Sequence, residues 1–352
     1  MNLAFVESPV QLLNVLEWTH TRGGTDTMIV VLPPVDPMSR GQLRRMAELA
    51  RDEGITVRWQ EARGETGAPL KALRALTGLI RKAERIVIGD PFSRYVQLLL
   101  SLVRTRRITV VDDGTATMEF VAQLARGERL VRWHRRGSGG PRELLLAPVT
   151  SAARRSFTPS ASRTVEVFTA MPVEAPEGIE VTANTFAWTR ERFGPPLITK
   201  GADLVGTSLV ETGVIDPAPY EQAVTTLARA HGATRYFAHR RESADKLHAL
   251  ESATGLEIVR PDLPLELIAR RGPIGHTVLS FPSTVVHTLP LALVGTGVKV
   301  AVCDIAPEWL RDTASPRAQG FLSGVTETAK DVQRLAPWRA TAVTAVTAVT
   351  EG

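Results

Sequence analysis

Cysteine is almost missing from this sequence: Cys303 stands alone among 352 residues. That excludes an internal disulfide framework and any cysteine-based zinc cluster, and it points to a reducing compartment. Aromatic residues are scarce, at 5%, so there is little from which to build a stacking platform for single-stranded nucleic acid, and no nucleic-acid partner is expected. No apolar run reaches the length of a membrane span, and residues 1–7 lack the basic and apolar regions of a signal peptide. These absences lead to the expectation of a soluble, cytoplasmic chain. Phosphate-binding glycine motifs are also missing. No Gly-x-Gly-x-x-Gly follows a predicted strand, and Gly295-Thr296-Gly297-Val298-Lys299 precedes a strand where a P-loop would follow one, which argues against dinucleotide oxidoreductases and P-loop kinases.

What is present is globular. Hydrophobic residues make up 43% and charged residues 22%, and the length exceeds one ordinary core, so two domains are expected. Short apolar runs alternate with amphipathic stretches through the first half. The predicted strands are 3–6, 28–32, 55–59, 86–88 and 108–111, and the predicted helices are 9–19, 39–52, 70–83, 92–103 and 115–125. From about 126 the pattern loosens into a connector, with Gly137-Ser138-Gly139-Gly140-Pro141 read as a flexible loop and a short strand at 165–168. Alternation resumes after Pro196, with strands at 202–206, 235–238, 256–259, 277–281 and 298–302 and helices at 219–230, 242–253, 263–269 and 283–294. Repeated strand, helix, strand is the pattern of doubly wound parallel sheets, here two in tandem with a ligand clamped between them. The predicted limits are 1–195 for the first domain, 196–335 for the second and 336–352 for a low-complexity tail that repeats Thr-Ala-Val and is expected to fray.

Net charge is +5, unevenly placed: residues 101–165 hold 12 Arg and no Lys against 5 acids. Arg104, Arg106, Arg107, Arg132, Arg135, Arg136, Arg154 and Arg155, with Trp133 and His134 among them, make a local basic surface. It suits an acidic glycan, a nucleic acid or an anionic membrane, or is simply a solvated surface.

In open α/β sheets ligands sit outside the carboxyl ends of the strands, and four features fall there. The run Ile108-Thr109-Val110-Val111 ends in Asp112-Asp113-Gly114. Adjacent acids point to opposite faces, so one can enter a crevice as a general base while the other caps the next helix, and this favours a base over a metal site. His239, in Tyr236-Phe237-Ala238-His239-Arg240-Arg241-Glu242, follows a strand and could donate to a phosphate, or be an ordinary surface histidine. Glu266, in Pro264-Leu265-Glu266, could accept from ribose hydroxyls or simply favour the helix dipole. Ser283 and Thr284 begin a helix, where free N–H groups bind anions and where hydroxyl residues also serve as caps. His287 stands about one helical turn further on, as a core or supporting residue.

This order of motifs resembles the bacterial GT-B sialyltransferases, especially their polysialyltransferase-like group. The opening Glu7-Ser8-Pro9-Val10-Gln11-Leu12-Leu13-Asn14 and the stretch Gly206-Thr207-Ser208-Leu209-Val210-Glu211 also look like that group. The resemblance runs from the start of the chain to about residue 295 and is carried by order and spacing more than by identity. It implies a GT-B-like fold of two Rossmann-like domains facing an interdomain cleft. It also implies an inverting, metal-independent transfer of sialic acid from CMP-sialic acid to a glycan or glycolipid hydroxyl, with no cofactor. By the same resemblance Asp112, with Asp113 close behind, would be the base; His239, Ser283 and Thr284 would bind the CMP phosphate; Glu266 would hold the ribose; and Gly206 and Ser208 would line the nucleotide site. Arg240 follows His239 where the family has proline, and Thr284 stands where serine is common. Arg240 or Arg241 could meet an acidic sugar or pair with Glu242 or Asp245. The rival donor is another CMP-sugar or a UDP-sugar, and the rival class is a non-catalytic nucleic-acid-binding protein. Peripheral contact of the basic face with the inner side of an anionic membrane is a further expectation.

Overall fold

A computed structural model describes residues 1–24, 26–61, 68–132, 141–314 and 316–338. The chain forms two compact units. The first comprises Met1–Leu197, Pro261–Pro273 and His287–Gly297, and the second comprises Ile198–Arg260, Ile274–Val286 and Val298–Gly352. Two segments from the second half of the sequence therefore group with the first unit.

The first unit contains a seven-stranded, all-parallel sheet of β1 (Asn2–Val6), β2 (Thr27–Val31), β3 (Thr56–Trp59), β4 (Arg85–Ile88), β5 (Arg107–Val111), β6 (Thr164–Thr169) and β7 (Ile179–Ala183), in the order β3-β2-β1-β4-β5-β6-β7. Parallel strands covered on both faces read as continuous apolar runs, and β1 and β5 do so. Leu3, Phe5, Ile108 and Val110 point into one core and Ala4, Val6 and Val111 into the other. That alternation fixes the register, and with it the position of every residue just past a strand end.

The connector expected from 126 is in fact part of this sheet. It supplies α6 (Pro141–Ser156), β6 and β7. Pro148 lies inside α6 and breaks the look of a helix, while Pro172 and Pro176 only bound the two strands. Trp133, His134, Arg135, Arg136, the Gly137–Gly140 stretch and the tail from 339 lie outside the described residues.

The second unit holds a six-stranded parallel sheet of β8 (Ile198–Val205), β9 (Ala233–Phe237), β10 (Glu257–Val259), β11 (Ile274–Ser280), β12 (Lys299–Cys303) and β13 (Val332–Leu335), ordered β10-β9-β8-β11-β12-β13. Counted within the unit this is the order 3-2-1-4-5-6, the doubly wound arrangement whose ligand crevice lies where the order reverses, between β8 and β11. Its core includes Leu204, Tyr220, Tyr236, Phe281 and Trp309. The last helix, α12 (Pro316–Thr328), and β13 complete the sheet and were not anticipated. Among the described residues no helix is long and apolar enough to cross a membrane.

Candidate functional site

The carboxyl edge of the second sheet gathers six of the residues quoted in the sequence motifs. Gly206, Thr207 and Ser208 follow β8, His239 follows β9 by two residues, and Ser283 and Thr284 follow β11. Since β8 lies between β9 and β11, the glycine turn stands between the histidine and the hydroxyl pair.

A buried polar network lies behind that turn. The Tyr220 and Tyr236 hydroxyls are 2.6 Å apart, and Tyr236 Oη donates to Glu242 Oε1 at 2.5 Å. Lys246 Nζ pairs with the same oxygen at 2.8 Å and with Glu211 at 3.4 Å, and it donates to the Thr207 carbonyl at 3.2 Å. Burial pushes the Glu242 carboxyl up while Lys246 pulls it back. Only glycine fits at 206, because a Cβ there would stand 2.6 Å from the Tyr236 hydroxyl and closer still to Glu242. The sequence reading left Glu242 as a partner for Arg240 or Arg241; its partners are instead Tyr236, Lys246 and the His239 backbone, and it precedes the helix α9 (Ala244–Thr254), whose cap is Ser243.

His239 is fixed at both its backbone and its ring. Its backbone N–H donates to Glu242 Oε2 at 2.5 Å, and its Nδ1 accepts from the Arg241 N–H at 3.2 Å. A neutral ring whose Nδ1 accepts must carry its proton on Nε2. Burial, with Arg240, Arg241 and Lys246 nearby, holds the imidazole down at about 4. The ring therefore presents one N–H donor through the neutral range.

Ser283 lies two residues ahead of α11 (Val285–Ala292), so it is not the first residue of that helix, and its carbonyl accepts from the Val286 N–H at 3.2 Å. Its hydroxyl is buried without a hydrogen-bond partner among the described residues. Buried polar atoms are rarely left so.

In the first unit the residues past β5 divide as adjacent acids must. Asp112 is 2% exposed. Its Oδ1 accepts from the Gly114 N–H and its Oδ2 from the Ala170 N–H, both at 3.0 Å. Its carbonyl accepts from Asn14 Nδ2 at 2.9 Å, and Asn14 is itself held by Asn184. The opening motif thus braces this turn. Burial pushes the Asp112 carboxyl up against the pull of these amides. The Asp113 side chain is 18% exposed and faces Arg132 at 3.5 Å, which also pairs with Asp90 at 2.8 Å.

Glu266, in the first turn of α10 (Leu265–Arg271), belongs to this unit. It is 6% exposed and accepts from Thr288 Oγ1 at 2.6 Å. Burial raises its carboxyl, and the charge of Asp112 raises it further. Asp112 is therefore the acid whose field reaches Glu266, while Asp113 turns to Arg132. The candidates fall into two groups: Asp112, Asp113 and Glu266 in the first unit, and Gly206, Ser208, His239, Ser283 and Thr284 in the second. The sequence reading missed Tyr236, Lys246, Arg132 in its pairing role and Thr288. Of these, only Lys246 left a usable signal, a lysine one helical turn after Glu242.

No protein-family model matches the chain, and no curated protein matches it in sequence. Solved structures resemble it in fold. An α/β-galactoside α-2,3-sialyltransferase from Photobacterium phosphoreum is 10% identical, over 95% of this chain and 98% of that one, with a TM-score of 0.49. MurG of Acinetobacter baumannii is 11% identical over 96% and 86%, with a TM-score of 0.43. A Listeria monocytogenes protein described as a UDP-N-acetylglucosamine 2-epimerase is 13% identical over 86% and 78%, with a TM-score of 0.50. At such identities the likeness is one of fold: the chain has an α/β, GT-B-like architecture of two Rossmann-like parallel-sheet units.

Proposed function

We propose that this protein is an inverting glycosyltransferase that moves sialic acid from CMP-sialic acid to a hydroxyl of a glycan or glycolipid. The observation that carries the reading is the donor set at the second sheet's carboxyl edge. It consists of a neutral His239 with its proton on Nε2 and a buried, unpartnered Ser283 hydroxyl, one on each side of a turn where only glycine fits. Such a set suits a nucleoside monophosphate sugar, whose phosphodiester carries one charge and whose leaving monophosphate carries about two, fewer than a departing diphosphate.

In this reading Asp112 accepts the proton of the acceptor hydroxyl as that oxygen attacks the anomeric carbon. Asp112 takes a backbone N–H at each oxygen and further hydrogen bonds from the Thr169 and Thr117 side chains, and a carboxyl raised by burial is a better base than a surface one. As the new C–O bond forms, the bond from the anomeric carbon to the phosphate oxygen breaks, and its electron pair leaves on CMP. His239 Nε2–H, with Ser283 and Thr284, donates to that phosphate. Glu266 accepts from the ribose hydroxyls and is held by Thr288. No metal is needed in this scheme, because hydrogen bonds take up the departing charge.

The rival donor is a UDP-sugar or another CMP-sugar; among the fold neighbours, the Listeria protein is described with a UDP-sugar. Incubation with CMP-sialic acid and a panel of galactosides, read as CMP release with product anomeric configuration by NMR, tests the proposal. Inverted sialosides formed only while Asp112 is intact would support it. Turnover of UDP-sugars with none of CMP-sialic acid would replace the donor.

A further inference from the structure

The first unit carries a second polar site, which includes Arg154 and Arg155 of the basic stretch and none of the candidate transfer-site residues. Arg129, Arg154, Arg155 and Arg163 line a cavity of about 400 Å³ together with the hydroxyl residues Ser151 and Ser160, and no acid lines it. Arg163 is built into the backbone: its Nη1 donates to the Arg155 carbonyl at 2.7 Å and its Nε to the Thr105 carbonyl at 3.1 Å. Gly127 leaves room for the Arg154 guanidinium, since a Cβ there would stand 3.1 Å from its Nη2. Among the described residues none of the four arginines pairs with a carboxylate, whereas Arg85, Arg107, Arg126 and Arg132 of the same unit all do.

Position separates this cavity from the transfer site. Arg163 binds the carbonyl of Thr105, before β5 begins, and immediately precedes β6. Asp112 follows the other end of β5. Five strand residues at roughly 3.3 Å each put the two sites about 17 Å apart, at opposite ends of one strand.

Four like charges around one cavity repel each other, and a multiply charged anion relieves that repulsion. A carboxylate presents two oxygens and one charge. A phosphate presents three or more oxygens and up to two charges, which match several guanidinium forks at once. The volume is that of a small-ligand pocket, not of an extended nucleic-acid track. We infer that the arginine cavity formed by Arg129, Arg154, Arg155 and Arg163 is a binding site for a phosphate group, independent of the transfer site. Two sources share that chemistry: a soluble phosphate ester and a phospholipid headgroup.

The test uses the full chain and two probes. Inorganic pyrophosphate is titrated by calorimetry at two salt concentrations, and vesicles of phosphatidylcholine with or without phosphatidylglycerol are co-sedimented with the protein. The variants are the double substitution Arg154→Gln with Arg155→Gln and, separately, Arg129→Gln; Arg163 is left intact because it holds backbone. Saturable pyrophosphate binding that weakens with salt and falls about tenfold or more in each variant is expected, this being about 1.4 kcal/mol or more. The unliganded variants should melt no lower than the parent, because each loses a repelling charge. Vesicle binding that depends on phosphatidylglycerol and on Arg154 and Arg155 would identify the lipid source, and pyrophosphate binding alone the soluble one. Binding of either probe that survives the substitutions, or no binding of either, would overturn the inference.

Discussion

A neutral histidine donates through one ring nitrogen only, and the backbone has already chosen which. With Nδ1 accepting from Arg241, His239 offers Nε2–H and titrates at about 4. Between that value and the ordinary 6.5 the unfolded chain holds the proton that the native chain refuses, so this residue makes stability rise as pH rises through that window. His239→Gln should flatten that part of the stability profile and cost most of the CMP response. Thermal melts across the acid range, with and without CMP, check both effects. Glu266 behaves in the opposite sense, since burial raises its carboxyl. Above its ordinary value the native chain keeps a proton that the unfolded chain releases, so stability falls as pH rises through the window up to the raised value. Glu266→Gln retains an oxygen to accept from Thr288 and never ionises. It is expected to raise Tm at about pH 8 relative to about pH 5 while weakening nucleotide binding, and a lowered Tm at the higher pH would contradict this account. Asp112→Asn must turn an N–H donor toward one of two backbone donors. It should cost about 1–3 kcal/mol of stability as well as activity, whereas Asp113→Asn should cost less of both, as urea melts and transfer assays will show.

At the scale of elements, the turn after β8 is shaped by what lies behind it. Gly206 faces the buried set of Tyr220, Tyr236, Glu242 and Lys246. Removing Glu242 leaves Lys246 buried with the Thr207 carbonyl and, as its ion-pair partner, the more distant Glu211, and breaking a buried pair from one side costs about 3–5 kcal/mol. Glu242→Ala should therefore destabilise the protein and release the His239 backbone, and Gly206→Ala should do the same by steric conflict; a crystal structure or NMR spectrum of either variant should show β9's end displaced. This network explains what could and could not be read from sequence. The apolar runs at β1, β5 and β11 announced themselves, and so did the acids after β5, the histidine after β9 and the hydroxyls after β11. Pairings across the sheet did not, because Glu242, Tyr236 and Lys246 look like ordinary residues of a strand and a helix until the register places them together. Helix starts were read too early at 242 and 283, since capping residues and helical residues share the same polar types. The connector misled because Pro148 interrupts a real helix.

The whole chain is two doubly wound units whose membership does not follow sequence order. Pro261–Pro273, with Glu266, and His287–Gly297, with Thr288, join the first unit although the strands around them belong to the second. Periodicity located these helices but could not assign them to a sheet, because amphipathic patterns say which face is buried and not against what. The consequence is that the proposed base, Asp112, and the proposed ribose acceptor, Glu266, share one unit, while the proposed phosphate donors belong to the other. Binding of CMP by the wild-type chain and by His239→Ala, compared with UDP and GMP in one thermal-shift series, is the most direct test of the proposed transfer site. A saturating ligand should raise stability by a few kcal/mol. The account predicts stabilisation by CMP over UDP and GMP, lost when His239 is replaced. Equal or greater stabilisation by UDP, or a CMP response untouched by the substitution, would contradict it.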